Sequence, residues 1–424
     1  MDEKAIVNSI KQNIKKYYAN QHDVFVKGKS KIKLQQPTYG ADEVNEAIDS
    51  FLSSWVTMGK KVEKFESLFA NYIGTKYAVM LNSGSSANLV ALSVLVNPRF
   101  KNQVLPNSEV ITPAVTWATT VFPISNVGLT PVLVDVELET FNIDPSQIEK
   151  AITKKTRAIM PVHLLGNPAS IDLINDIAKK HDLHVIEDCC EAHGSQLNDK
   201  NIGSFGDMST FSFYLSHHIS TIEGGMLLTD NPEIFELAKS LRAFGWIRDL
   251  KNKKSIAKKY SDIDDRFLFY NTGYNLRPTE IQGSFGIHQM KKLNKFLKIR
   301  KANAEYWNKK LEPYSDFFII HKDRSNSKHA WFAYPIIIRP SAPFKRIDMM
   351  NYLEKNLIET RPIQTGDITK QPAMKILKHR VVGDLKNTRI IHNQAFFIGN
   401  HQGIGNEERK YVSDTIENFL KKSL

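Results

Sequence analysis

The chain has 424 residues, 42% hydrophobic and 24% charged, with 21 Gly and 17 Pro, a composition that excludes disordered, collagen-like and coiled-coil classes. Lys and Arg outnumber Asp and Glu by 57 to 45, a net charge of +12 that suits phosphorylated or polyanionic partners and equally a plain lysine-rich surface. The only cysteines, Cys189 and Cys190, are adjacent, so no disulfide framework is available and a reducing, cytoplasmic setting is expected.

Ile6, Ile10, Ile14 and Tyr17 lie at helical spacing and predict a leading helix and arm over residues 1–40. The start, Met1-Asp2-Glu3-Lys4, opens no apolar signal core, and no run is long and apolar enough to predict a transmembrane helix. Val44, Ala47, Ile48, Phe51, Leu52 and Trp55 form a second stripe. Val62, Phe65, Leu68, Phe69 and Tyr72 form a third, stopped by Gly74. Both stripes are expected to face the core. Apolar runs then alternate with helix-length segments: Tyr77–Leu81, Glu109–Thr112, Val132–Val136, Ala158–Val162, His184–Glu187, Met208–Phe213 and Met226–Thr229. That alternation predicts crossover units, hence an α/β fold with a largely parallel sheet covered by helices. A helix over Glu280–Lys310 leads into an α+β third, with a strand at Tyr334–Ile338 and a helix at Arg346–Asn356. The expected division is an arm at 1–40, a large cofactor-binding domain at 41–290 and a small domain at 291–424.

Three motifs fail on inspection. Gly28-Lys29-Ser30 lacks the glycine of a phosphate-binding loop, because Asp23 stands five residues before Gly28. Gly84–Asn88 is no nucleophile elbow, since Asn88 replaces the closing glycine. His181 and His184 have metal-ligand spacing without a zinc motif around them; they are expected at a helix end and in a strand, and no metal is expected. Three others carry chemistry. Asn82–Ala87 follows a predicted strand and opens a helix, so its Gly and Ser suit a phosphate dianion or an ordinary capped helix. Glu187–Gly194 ends a strand with acids, where open α/β sheets bind ligands. Ser212–His218 leads into Glu223-Gly224-Gly225, and its paired histidines admit a base, metal ligands or a surface pair.

In this order, the motifs resemble the sugar aminotransferase family from about residue 40 to the end. Trp117 stands after the first of them, Gly273-Tyr274-Asn275-Leu276-Arg277 follows the last, and Arg361-Pro362 and Gly366 complete the set. The resemblance implies pyridoxal phosphate as cofactor and an aspartate aminotransferase-like fold (fold type I). That fold has a mainly parallel seven-stranded sheet in the large domain and a smaller α+β C-terminal domain. Gly84, Ser85 and Ser212 are implied to hold the cofactor phosphate, and Trp117 to stack on the pyridine ring. Asp188 is implied to keep the ring nitrogen protonated, and Glu191 to sit near the ring hydroxyl. Asn275 is implied to reach the neighbouring copy's phosphate across a homodimer.

Five residues after Ser212, where the family's aminotransferases carry the lysine that binds the cofactor covalently, this chain has His217. Imidazole forms no stable imine, so the cofactor is expected to stay non-covalent; a neutral imidazole, with an ordinary pKa of ~6.5, still takes a proton. His217-His218 followed by Glu223-Gly224-Gly225 resembles the family's dehydratase branch, which acts on nucleotide-linked 4-keto-6-deoxy sugars. The implied reaction uses pyridoxamine phosphate to remove the C3 hydroxyl, with His217 as the catalytic base and L-glutamate restoring the cofactor. Arg361, His163 and His329 are expected either as substrate contacts or as packed or surface residues. A CDP-linked branch with the same histidine adds a two-iron two-sulfur cluster on four cysteines. Gly245–Arg266, where its remaining ligands would lie, has no cysteine, so no iron–sulfur cluster is expected and a GDP-linked sugar is favoured. The missing lysine disfavours an ordinary aminotransferase. No helix-turn-helix precedes the large domain, which disfavours a DNA-binding regulator; neither nucleic acid nor membrane is an expected partner.

Overall fold

The computed structural model describes residues 2–21, 24–321, 323–324 and 326–423; Met1 and Asp23, used above, lie outside them. Seven strands form where the apolar runs predict them: β1 (Tyr77–Leu81), β2 (Glu109–Pro113), β3 (Thr130–Val134), β4 (Thr156–Ile159), β5 (His184–Asp188), β6 (Met208–Ser212) and β7 (Gly225–Thr229). They lie in the order β1-β7-β6-β5-β4-β2-β3. An eighth short strand, Arg380–Val381, joins beside β3 from the last third of the chain, beyond the seven expected. Every neighbouring pair is parallel except those of β7, which runs antiparallel to β1 and to β6.

β2, β3, β6 and β7 are buried along their whole length, as strands covered on both faces must be. Alternation sends Ile111, Val134 and Phe213 to one apolar layer with Phe65 and Phe69. Val110, Met160 and Ile186 face the other, with Val90 and Leu237. His181 caps the helix Ile171–Lys180 and His184 opens β5. The helix Lys60–Ile73 stops at Gly74, whose φ of 92° is the left-handed cap that glycine allows.

A helix of 32 residues, Glu280–Leu311, starts on a capping box between Thr279 and Gln282 and runs unbroken past residue 290. It packs against the helices Ala41–Leu52 and Lys60–Ile73 and also against Asn406–Ser423. A four-stranded antiparallel sheet, ordered Phe318–Ile319, Ala333–Ile338, Ala395–Gly399 and Thr360–Pro362, completes the C-terminal third.

One stripe turns inward only in its first half. Phe51, Leu52 and Trp55, expected in the core, are each more than half exposed. From that stripe the helix Ala41–Leu52 buries Ala47, and it buries Glu43, Asn45 and Ser50 beside it. Glu43 accepts from Gln289 and Lys292, and Ser50 Oγ lies 3.0 Å from Ser284 Oγ, so hydrogen bonds to the long helix replace apolar contact. The leading helix Glu3–Ala19 buries no residue, and Lys11 ties it to Asp49. No helix among the described residues is long and apolar enough to cross a membrane.

Candidate active site

Because β7 is antiparallel, its amino end meets the carboxyl ends of β1 and β6 at one rim. Leu81 and Ser212 both pair in register with Gly225. A Cβ on Gly225 would lie 2.1 Å from the Ser83 carbonyl oxygen, and one on Gly84 would lie 2.4 Å from Ser212 Cβ. Glycine at both positions lets the turn after β1 close onto the end of β6. Ser83 Oγ accepts from Ser86 N at 3.1 Å and caps the helix Gly84–Leu95. The first-turn amides of Gly84 and Ser85 have no partner within that helix, and they stand beside Ser212. Free amides at a helix start, with hydroxyls around them, fit a phosphate dianion.

Asp188 is buried at the end of β5, next to β6. Its Oδ2 accepts from Asn88 Nδ2 at 3.0 Å and Thr120 Oγ1 at 2.8 Å, and its Oδ1 accepts from Cys190 N at 3.2 Å. Thr210 Oγ1 in β6 donates to Asn88 Oδ1 at 2.5 Å. The helix that bears the phosphate turn and the strand that ends in Ser212 therefore both orient Asp188. Trp117 caps the helix Ala118–Asn126 one turn before Thr120, and its indole is 56% exposed. The sequence names Asn88 only as the residue that rules out a nucleophile elbow, and it singles out neither Thr120 nor Thr210. Only the spacing of Asn88, one helical turn after Gly84, offered a signal.

Glu191 follows in the turn after Asp188. Its Oε2 accepts from Leu165 N at 2.7 Å, and its Oε1 accepts from Gln364 Nε2, which arrives from the C-terminal third. Burial, reinforced by the charge of Asp188, pushes its pKa up to about 8. Thr365 Oγ1 donates to Thr116 O at 2.7 Å, so the segment after Pro362 straps this rim. Gln364 was another residue that the sequence did not single out.

His217 lies in the turn after β6. Its Nδ1 is buried without a partner, which leaves Nε2 as the ring nitrogen that keeps accessible surface. Burial and the Arg300 charge lower its pKa to about 3, so the ring is neutral. His218 is fully buried, and its Nε2 donates to Ala330 O at 2.9 Å.

The remaining expected site residues lie elsewhere. His163 is fully buried: Nε2 meets Glu187 Oε2 at 3.2 Å, and Nδ1 accepts from Ala169 N at 3.0 Å. His329 is buried, bonded through Nε2 to Leu165 O and stacked on Trp331 with centroids 3.9 Å apart. Both imidazoles are buried and bonded within the scaffold, as the packed alternative for these two residues expects. Arg361 is exposed in the strand Thr360–Pro362. Asn275 lines an open groove with Trp55, Trp246, Arg248 and Arg277. His163, Glu187 and Cys189 stand close enough to hold an ion, but Glu187 already accepts from His163 and the amides of Gly203, Phe205 and Gly206.

The DegT/DnrJ/EryC1/StrS aminotransferase family matches residues 37–417. A GDP-4-keto-6-deoxy-D-mannose 3-dehydratase from Yersinia pseudotuberculosis is 38% identical over 395 residues, covering 92% of this chain and 98% of that protein. The solved structure of E. coli GDP-4-keto-6-deoxy-D-mannose-3-dehydratase with bound hydrated PLP superposes with a TM-score of 0.86 at 36% identity, over 91% of this chain and 98% of that one. A GDP-4-keto-6-deoxymannose-3-dehydratase with a trapped PLP-glutamate geminal diamine gives 0.85 at 36% identity, over 90% and 99%.

Proposed function

Because the chain belongs to the DegT/DnrJ/EryC1/StrS aminotransferase family, we propose that it is a pyridoxamine-phosphate-dependent lyase. It removes the C3 hydroxyl of a GDP-linked 4-keto-6-deoxy sugar and uses L-glutamate as amino donor. The observation that carries this reading is His217: a neutral imidazole, its Nε2 the less buried ring nitrogen, stands where an aminotransferase needs lysine.

When bound, the cofactor supplies an amine for the sugar's C4 ketone and a conjugated ring that accepts the electrons released at its C4′ carbon. Gly84, Ser85 and Ser212 hold its phosphate, and Trp117 covers one face of the ring. Asp188, steadied by Asn88 and Thr120, keeps a proton on the ring nitrogen. Glu191 stands by the ring hydroxyl. His217 takes the C4′ proton on Nε2 and passes it to the departing C3 hydroxyl. A ring held neutral by burial makes a strong conjugate acid, which favours that second transfer. In this reading residues 41–290 carry the cofactor, residues 291–424 close over the sugar through Arg361, and residues 1–40 form an arm. The enzyme works in the cytoplasm as a homodimer, Asn275 serving the neighbouring copy's phosphate.

The test is to incubate the protein with several nucleotide 4-keto-6-deoxy sugars, pyridoxal phosphate and L-glutamate, and to follow loss of water by mass. Turnover is expected with the GDP-linked sugar. His217→Lys should abolish it, by more than about 100-fold, as expected for loss of a general base. Release of 3-deoxy product by that variant at near wild-type rate would remove His217 from the role.

A further inference from the structure

Four ring nitrogens on three histidines are buried without a hydrogen-bond partner: both of His193, and Nδ1 of His217 and of His218. The rings form one cluster, with the His193 centroid 6.1 Å from His217 and 5.5 Å from His218. Phe69, Phe211 and Phe213 wall in His193, and Phe332 packs against His217 and His218. Phenyl rings offer no conventional donor or acceptor. A buried ring nitrogen left unmet is costly, so a cluster of this kind calls for a shared polar partner.

The hydrogen on His218 can be assigned. Ala330 O only accepts, so His218 carries its proton on Nε2 and its Nδ1 is an acceptor. We infer that one ordered water is shared by the three imidazoles, and that His193 acts through it as a positioning residue for His217. The water accepts from His217 Nδ1–H, and it donates to His218 Nδ1 and to one nitrogen of His193. Three bonds are what a buried water typically makes. The second His193 nitrogen then carries its proton toward the phenyl faces, a weak contact they can accept.

This role rests on His217 being the base proposed above. A base at Nε2 needs its lone pair there, hence the proton on Nδ1, and a fixed acceptor at Nδ1 secures that tautomer. Around His217 the titratable and charged groups are His193, His218, Tyr214 and the Arg300 guanidinium from the long helix. Burial, with Arg300 adding to it, keeps all three imidazoles uncharged, so the variable left to control is the tautomer.

Ring-nitrogen NMR of the holoenzyme with isotope-labelled histidine tests this, His217→Asn assigning the signal. The wild type is expected to show His217 as the Nδ1–H form. His193→Leu should move a measurable fraction to the Nε2–H form and lower kcat roughly 10-fold with KM little changed, as losses of an orienting partner do. His193→Gln, whose amide both donates and accepts, should keep the tautomer and most of the rate. An Nε2–H form in the wild type overturns the inference without any variant having to fold. So does an unchanged tautomer in folded His193→Leu. Near wild-type turnover by His217→Asn overturns the base assignment itself, and this role with it.

Discussion

Glu187 is buried within β5 and Glu191 is half-buried in the turn that follows, and their carboxyls shift in opposite directions. Burial alone would raise both. At Glu187 the His163 ring and the amides of Gly206 and Gly203 outweigh it and hold the pKa below the usual range. Glu191 faces one amide and one neutral side chain, so burial wins and the pKa rises from 4.5 to about 8. Between those values the folded state keeps a proton that the unfolded state has released. This contribution to stability is therefore complete below the unfolded value and is lost as pH rises through 8. In the cofactor-free protein, Glu191→Gln should melt above wild type at about pH 9, and that advantage should shrink toward pH 5. Thermal melts of both proteins across that range check it; a pH-independent gap contradicts the raised carboxyl.

At the scale of elements, a single antiparallel strand closes the turn proposed to cradle the cofactor phosphate. β7 places Gly225 between Leu81 and Ser212, and its missing side chain admits the Ser83 carbonyl. Gly225→Ala puts a methyl against backbone, which cannot swing away. The expected cost is about 1–3 kcal/mol of stability, as for overpacked cores. Opening the cradle should also weaken cofactor binding roughly 10-fold, the equivalent of about 1.4 kcal/mol. Denaturant melts and absorbance titration with pyridoxal phosphate measure the two effects. Unchanged affinity would show that the close approach of the two turns does not shape the phosphate site.

For the whole molecule, the outward half of that stripe becomes informative. Phe51, Leu52, Trp55 and Val56 are exposed, and Trp55 lines the groove that also holds Trp246 and Asn275. The exposed Phe269 stacks on Trp246 with centroids 5.9 Å apart. Exposed aromatic surface of this kind marks an interface. Sedimentation should find a homodimer, and Trp55→Glu combined with Phe269→Glu should shift it toward monomer with at least about 10-fold loss of activity, since burying unpaired charge opposes association. A fully active monomer would refute sites shared between copies.

Much of the molecule was legible from local pattern. The apolar runs located seven strands, Gly74 stopped its helix, and Asn82–Ala87 announced a capped helix start, because backbone sterics and side-chain period act within a few residues. The replacement of lysine by His217 was likewise plain in the chain. Where hydrogen bonds substituted for apolar contact, as between Ala41–Leu52 and the long helix, periodicity overstated how much of the stripe is buried. His163 and His329, plausible as ligand contacts on residue type alone, turned out to be consumed by the scaffold. By itself, then, the sequence determined the order of strands and helices and the kind of chemistry the cleft can host. Only the tertiary structure decided that Asn88 and Thr120 orient Asp188, that Gln364 meets Glu191 from 173 residues away, and that His193 faces His217. Those relations depend on which distant segments pack together and on which groups lose water when they do, and neither is a property of any local stretch of chain.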